Sequence, residues 1–168
     1  MFLAHLLRLH GQDRLERFGS SSLEDGFFER YVESINFENT LVLSVFFDGI
    51  LRASAELRSL HPHWGRDAEL AVIVERPWQS GGLNTALVWS ALSRAKELGI
   101  RELFIHANLE EQWSAKLLRS LGKELRYGTS LGLLSIDLYA STNKECGATG
   151  GFIRLKLDGR EAAFLRRA

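Results

Sequence analysis

The sequence predicts an α/β fold: a mixed central sheet in three layers, with helices on both faces. Three observations predict it. Apolar residues recur at helical spacing before residue 36 and at strand-like spacing from Thr40 onward. The stretches 40–47 and 50–58 flank Asp48-Gly49, a strong signal for a tight antiparallel hairpin. Residues 68–74 are followed by a turn, a long helix and another strand, the order of a right-handed parallel crossover.

Each element follows from its own pattern. Phe2, Leu3, Leu6, Leu7 and Leu9 predict an amphipathic first helix ending near Gly11, and residues 14–18 read as a charged and aromatic connector. Ser20-Ser21-Ser22 offers an N-cap to a second helix reaching about Ser34, with Phe27, Phe28, Tyr31, Val32 and Ile35 on its buried stripe. Residues 40–47 are rich in β-branched and aromatic side chains, and 50–58 alternate apolar and polar. Residues 68–74 are almost all apolar, as expected of a central strand covered on both faces. Leu83, Leu87, Ala91, Ala95 and Leu98 mark a long helix stopped by Gly99. A strand at 101–107, a helix at 110–121, and strands at 123–129 and 131–138 follow. Residues 140–151 are small, polar and glycine-rich, and read as a linker. A short strand at 152–157 and a short basic helix at 160–167 complete the expectation. The domain is therefore expected at 1–138, with an appendage at 139–168.

Bulk composition narrows the function. The chain has 168 residues, enough for one well-filled core. Lys plus Arg and Asp plus Glu are each 21, so the net charge is zero. A neutral chain offers no general electrostatic case for nucleic acid or an anionic membrane. Cys146 is the sole cysteine, which excludes an internal disulfide and fits a reducing compartment. The apolar N-terminus contains His5 and Arg8 and no small-residue cleavage site, so neither a signal peptide nor a membrane span is expected. The expected location is the cytoplasm, as a monomer or homodimer. The five histidines form no metal motif, and no metal is expected.

The most informative stretch is AELAVIVERPWQSGGLNTAL, residues 68–87. Gln79, Ser80, Gly81, Gly82, Leu83, Asn84 and Thr85 join a strand to a helix. Successive N–H groups in such a glycine-rich turn form an anion nest, and the helix adds its positive end. A diphosphate fits there without a lysine. Neither Gly-Lys-Ser/Thr nor G-x-G-x-x-G is present, which sets aside a P-loop and a dinucleotide turn.

With its order of elements, this stretch resembles the GNAT superfamily of N-acetyltransferases, and most nearly the GNAT domain of bacterial protein-lysine acetyltransferases. The family's cofactor motif has Gln or Arg, two residues, Gly, one residue, then Gly or Ala. Gln79, Gly82 and Asn84 hold those places, and Asn84 departs from the usual small residue. The early stretch His5-Leu6-Leu7-Arg8 with residues 14–18 adds to the likeness, while the usual first strand is missing, so the sheet is expected to begin at Thr40. The resemblance implies acetyl-coenzyme A as co-substrate, held by Val72, Ile73 and Val74 along the strand, by the turn, and by Asn108. It implies an amine acceptor, either a small molecule or a protein lysine.

Acetyl transfer to an amine needs a proton acceptor, because a lysine-like amine is protonated at neutral pH. Glu69, the lone acid inside residues 68–74, is the first candidate base. In the lysine acetyltransferases that the chain resembles, a glutamate in the matching context has that role. The plainer alternative is an ion pair with Arg58 or Arg66. Glu56, on the polar face of the preceding strand and flanked by Arg52 and Arg58, is the second candidate. No tyrosine lies in residues 110–121 to serve as the acid, and Tyr127 is the nearest. The alternative function is a coenzyme A- or acyl-CoA-binding sensor or interaction module without catalysis.

Overall fold

The computed structural model describes residues 1–106 and four later strands, Leu125–Gly128, Leu133–Asp137, Arg154–Leu157 and Arg160–Leu165. Three short helices come first: α1 (Phe2–Leu7), α2 (Gly11–Phe18) and α3 (Asp25–Glu33). Strands β1 (Thr40–Phe47), β2 (Ile50–Ser59) and β3 (Asp67–Val74) follow, then a 3-10 turn (Arg76–Gly81), helix α4 (Leu83–Glu97) and strand β4 (Glu102–His106). The later strands are β5 (Leu125–Gly128), β6 (Leu133–Asp137), β7 (Arg154–Leu157) and β8 (Arg160–Leu165).

One mixed sheet runs in the order β5-β6-β4-β3-β2-β1-β8-β7. Among the described strands only β3 and β4 pair in parallel, joined through α4; the other pairs are antiparallel. The hairpin turns at Asp48 and Gly49, both with positive φ (51° and 74°), as a tight primed turn requires. The strand period of two then divides β2 and β3 between two faces. Ala53, Ala55, Leu57, Leu70 and Val74 pack against Leu87, Val88, Ala91 and Leu92 of α4. Each fully buried Leu or Val stabilises by about 1.5–3 kcal/mol. On the opposite face Ile73 meets Leu6, Leu9 and Phe28 of the N-terminal layer. Phe18, Phe27, Phe28 and Tyr31 close that layer with edge-to-face contacts at 5.2–5.5 Å.

Three expectations are corrected. Residues 11–18 form α2 rather than a connector, because His10 and Asp13 make a reciprocal capping box and Gly19 (φ 77°) closes the other end. The Ser20–Ser22 cap is not used; α3 begins after Glu24, which caps without its side chain. Residues 160–165 form strand β8, not a basic helix. In β8, Ala163, Phe164 and Leu165 pair with Phe46, Val45 and Ser44, covering the edge of β1 that faces away from β2. No strand precedes Thr40, as expected. The expected helix at 110–121 lies outside the described residues.

Candidate active site

The site begins where one pairing stops. β3 pairs with β2 from Ser59↔Ala68 to Ala53↔Val74. Its register with β4 ends at Leu70↔Ile105. Among the described residues, the β4-side edge of residues 71–74 has no strand partner. Antiparallel alternation then says which groups face that edge. The Glu75 N–H donates to the Arg52 carbonyl at 3.0 Å, so this pair is hydrogen-bonded. Ala53↔Val74 and Ala55↔Val72 are therefore the non-bonded pairs, and Val72 and Val74 turn their backbone groups away from β2. Ile73 turns its own toward β2. The Val74 carbonyl accepts from Gln79 Nε2 at 3.0 Å, so Gln79 ties the strand end to the turn.

The turn leads to an open helix start. Gly82 has φ 78° and is the N-cap of α4, which carries no side-chain cap. The first N–H groups of α4, from Leu83, Asn84 and Thr85, have no intrahelical acceptor by helix geometry. A Cβ built on Gly82 would meet nothing within 4 Å, so the backbone there is approachable from outside. Ser80 is exposed and Gly81 half-buried beside it. The open edge and the open helix start lie at successive points of one chain segment, and together suit an extended ligand ending in an anion.

The two candidate acids share the N-terminal-layer face of the sheet. Arg58 pairs in register with Glu69, and Glu56 with Ala71, so Glu56 and Glu69 are diagonal neighbours about 7–8 Å apart at Cα. The Glu69 carboxylate accepts from Arg58 at 2.9 Å, the ion pair that the sequence offered as the alternative. Burial works against the Arg58 charge, but the Glu69 hydrogen bond and the charges of Glu69 and Glu56 outweigh it and hold the guanidinium more firmly charged. Glu56 is buried and is not paired with Arg52. Both its oxygens accept from the Tyr31 hydroxyl, at 2.7 and 2.6 Å, and Arg17 stands 3.6 Å away. Burial pushes the Tyr31 phenol well above its ordinary 10.0, against the pull of Arg17, so it stays a donor.

Glu75 is a residue that sequence reasoning passed over. It is 6% exposed and sits between β3 and the turn. Its Oε1 accepts from His5 Nδ1 at 3.1 Å and Arg8 Nε at 2.9 Å, and its Oε2 from Arg52 at 2.8 Å. The signal lay in the early motif, whose members all find work. His5 and Arg8 bind Glu75. Arg14 donates to the carbonyls of Leu7, Leu9 and Leu23. Arg17 donates to Tyr31 at 2.7 Å. His5 and Arg8, three apart on one helical face, signal a shared acidic partner distant in sequence.

Asn108, Trp113 and Cys146 lie outside the described residues. Tyr127 falls in β5. His61 is exposed, 3.4 Å from Asp67, and the described residues hold no cluster of three metal-ligating side chains. Among the described residues no helix is long and apolar enough to cross a membrane.

Residues 4–122 match the family model described as Acetyltransferase (GNAT) family. No curated protein matches the sequence. Solved structures share the fold. The GNAT domain of S. lividans PAT is 17% identical with a TM-score of 0.62, over 80% of this chain and 81% of that one. The yncA protein from Salmonella typhimurium, solved with its cofactor acetyl-CoA, is 15% identical with a TM-score of 0.60, over 81% and 89%. The ribosomal-protein-alanine N-acetyltransferase from Brucella melitensis is 18% identical with a TM-score of 0.57, over 97% and 89%.

Proposed function

Because the chain belongs to the acetyltransferase (GNAT) family, we propose that it transfers an acetyl group from acetyl-coenzyme A directly to a primary amine. One observation carries this: among the described residues the β3 edge has no parallel partner after Leu70, just before a glycine turn that opens a helix without a side-chain cap. Val72 and Val74 would hold the pantetheine arm by backbone hydrogen bonds, as an added strand is held. The N–H groups of Gly82, Leu83, Asn84 and Thr85 would receive the diphosphate, with Gln79, Ser80 and Gly81 shaping the approach. Asn108 is the further cofactor contact that the family likeness suggests. The bound thioester supplies an activated acetyl group.

Glu69 is proposed as the base and Glu56 as the second candidate. The glutamate takes one proton from the ammonium, the freed amine nitrogen forms the new bond to the acetyl carbon, the carbon–sulfur bond breaks, and coenzyme A leaves as the thiol with the second nitrogen proton. A Val72 N–H facing the open edge suits the developing negative charge on the carbonyl oxygen. The acceptor is a small amine or a protein amine. The name of the Brucella melitensis neighbour, a ribosomal-protein-alanine N-acetyltransferase, favours the protein. Residues 1–138 are taken as the catalytic unit and 139–168 as an appendage, at work in the cytoplasm as a monomer or homodimer.

One observation favours a second function. Both candidate bases are already engaged, Glu69 by Arg58 and Glu56 by Tyr31 and Arg17. A coenzyme A-binding sensor or interaction module needs no free base. Thiol release from acetyl-coenzyme A with a panel of amines and peptides separates the two: turnover that Glu69→Gln abolishes supports the enzyme. Acetyl-coenzyme A raising the melting temperature without turnover supports the sensor, and no thermal shift sinks both.

A further inference from the structure

We propose that Glu75 is a positioning residue for the diphosphate turn: held by three donors from α1 and β2, it fixes where β3 enters the turn and so sets the affinity for the diphosphate of coenzyme A without touching it. The inference rests on the reading of residues 79–85 as the diphosphate site.

Glu75 is bound through every polar group it has. Its N–H donates to the Arg52 carbonyl at 3.0 Å, and its carbonyl accepts from the Trp78 N–H at 2.8 Å. Its carboxylate takes donors from His5 and Arg8 of the N-terminal layer and from Arg52 of β2. Arg8 is braced in turn by the Leu51 carbonyl at 2.6 Å. Trp78, three residues on, stacks on Phe47 at 4.1 Å with Arg52 6.0 Å from its ring centroid. The entry to the turn is thus rigid. Beyond Trp78 the turn is held by Gln79 to Val74, and α4 starts without a side-chain cap. A turn anchored chiefly at its entry takes its aim from that entry.

Packing alone would hold α1 in place. Leu6 and Leu9 already bury against Phe28 and Ile73. A carboxylate buried beside them adds desolvation cost that only its donors offset. Its effect is directional, because three charged hydrogen bonds leave one position for the strand end.

The test compares two ligands by calorimetry on the full chain: coenzyme A, and pantetheine, which lacks the diphosphate. Glu75→Gln is expected to weaken coenzyme A by about tenfold, as for loss of a hydrogen bond to a charged group. Pantetheine affinity is expected to change by less than about twofold, the ordinary spread for a site left in place. If Glu75→Gln fails to fold, Arg52→Lys, which keeps the charge but not the forked geometry, is expected to weaken coenzyme A about threefold. Coenzyme A affinity unchanged while the melting temperature falls would make Glu75 merely structural and overturn the proposal, as would equal losses for both ligands. Gly82→Val isolates the underlying reading: if that variant binds coenzyme A as well as wild type, the turn is not the diphosphate site, whatever Glu75 does.

Discussion

The Tyr31 hydroxyl bridges both carboxylate oxygens of Glu56, at 2.7 and 2.6 Å, across 25 residues of sequence. Arg17 closes the group by donating to the same hydroxyl. Tyr31→Phe keeps the ring packing against Phe18 and Phe27 and removes the hydroxyl, and with it both this bridge and the bond from Arg17. The buried Glu56 then keeps Arg17, at 3.6 Å, as its ion-pair partner. Chemical denaturation is expected to show a loss of about 1–3 kcal/mol, the cost of an unmade hydrogen bond to a buried charge. A loss below about 0.3 kcal/mol, the scale of a surface substitution, would mean that solvent replaces the phenol freely.

Glu69→Gln separates the two acids. Its pair with Arg58 is partly exposed, and such pairs contribute about 0–1 kcal/mol, so the fold is expected to survive. Turnover is expected to fall by about 10²–10⁴, the usual worth of a positioned base, with coenzyme A affinity unchanged. If Glu56→Gln removes turnover and Glu69→Gln leaves it intact, the base is Glu56.

Gly82→Val addresses the cofactor turn. At φ 78° a β-branched residue is strained by about 1–3 kcal/mol, although its Cβ would meet no neighbouring atom. The fold is therefore expected to persist with a lower melting temperature, while the branched side chain projects into the approach to the α4 N–H groups. Coenzyme A binding measured by calorimetry is expected to vanish, and retained affinity would refute the assignment.

These expectations mark which links the sequence carried. The hairpin, the crossover and the open turn were legible because each is local: Asp48-Gly49 demands a primed turn, and Gly82 suits a helix entered through positive φ. The faces of β2 were legible from alternation, and β3 from an apolar run that is covered on both sides. The α2 helix was misread because its capping box uses His10, a residue outside the usual cap set. The partner of β1 was missed because β8 lies over 110 residues away, and its pairing rests on register rather than composition. In the site, Glu69 and its Arg58 partner were both named, since they oppose each other across adjacent strands. Tyr31 was read as packing alone, because helical spacing reports a ring's burial but not where its hydroxyl reaches. Glu75 was hidden for a related reason, since its donors come from α1 and β2.

The Glu75 cluster also predicts acid lability in two stages. Burial disfavours the charged imidazole of His5 and outweighs the pull of Glu75, so His5 titrates below its ordinary 6.5. Burial opposes the Glu75 charge too, but the hydrogen bonds from His5, Arg52 and Arg8 prevail and hold its carboxyl below its ordinary 4.5. In both cases the unfolded chain takes up the proton more readily, so stability rises with pH. The His5 contribution is complete above 6.5 and drains as pH falls through 6.5 toward its folded value. The Glu75 contribution is complete above 4.5 and is lost below it. Each stage adds a slope of up to about 1.4 kcal/mol per pH unit. Denaturation free energies are therefore expected to be level above about pH 7 and to decline in two steps on acidification. His5→Gln, which keeps a donor for Glu75 but cannot titrate, is expected to flatten the upper step and leave the lower one. An upper step that persists unchanged in His5→Gln would assign it to groups other than this cluster.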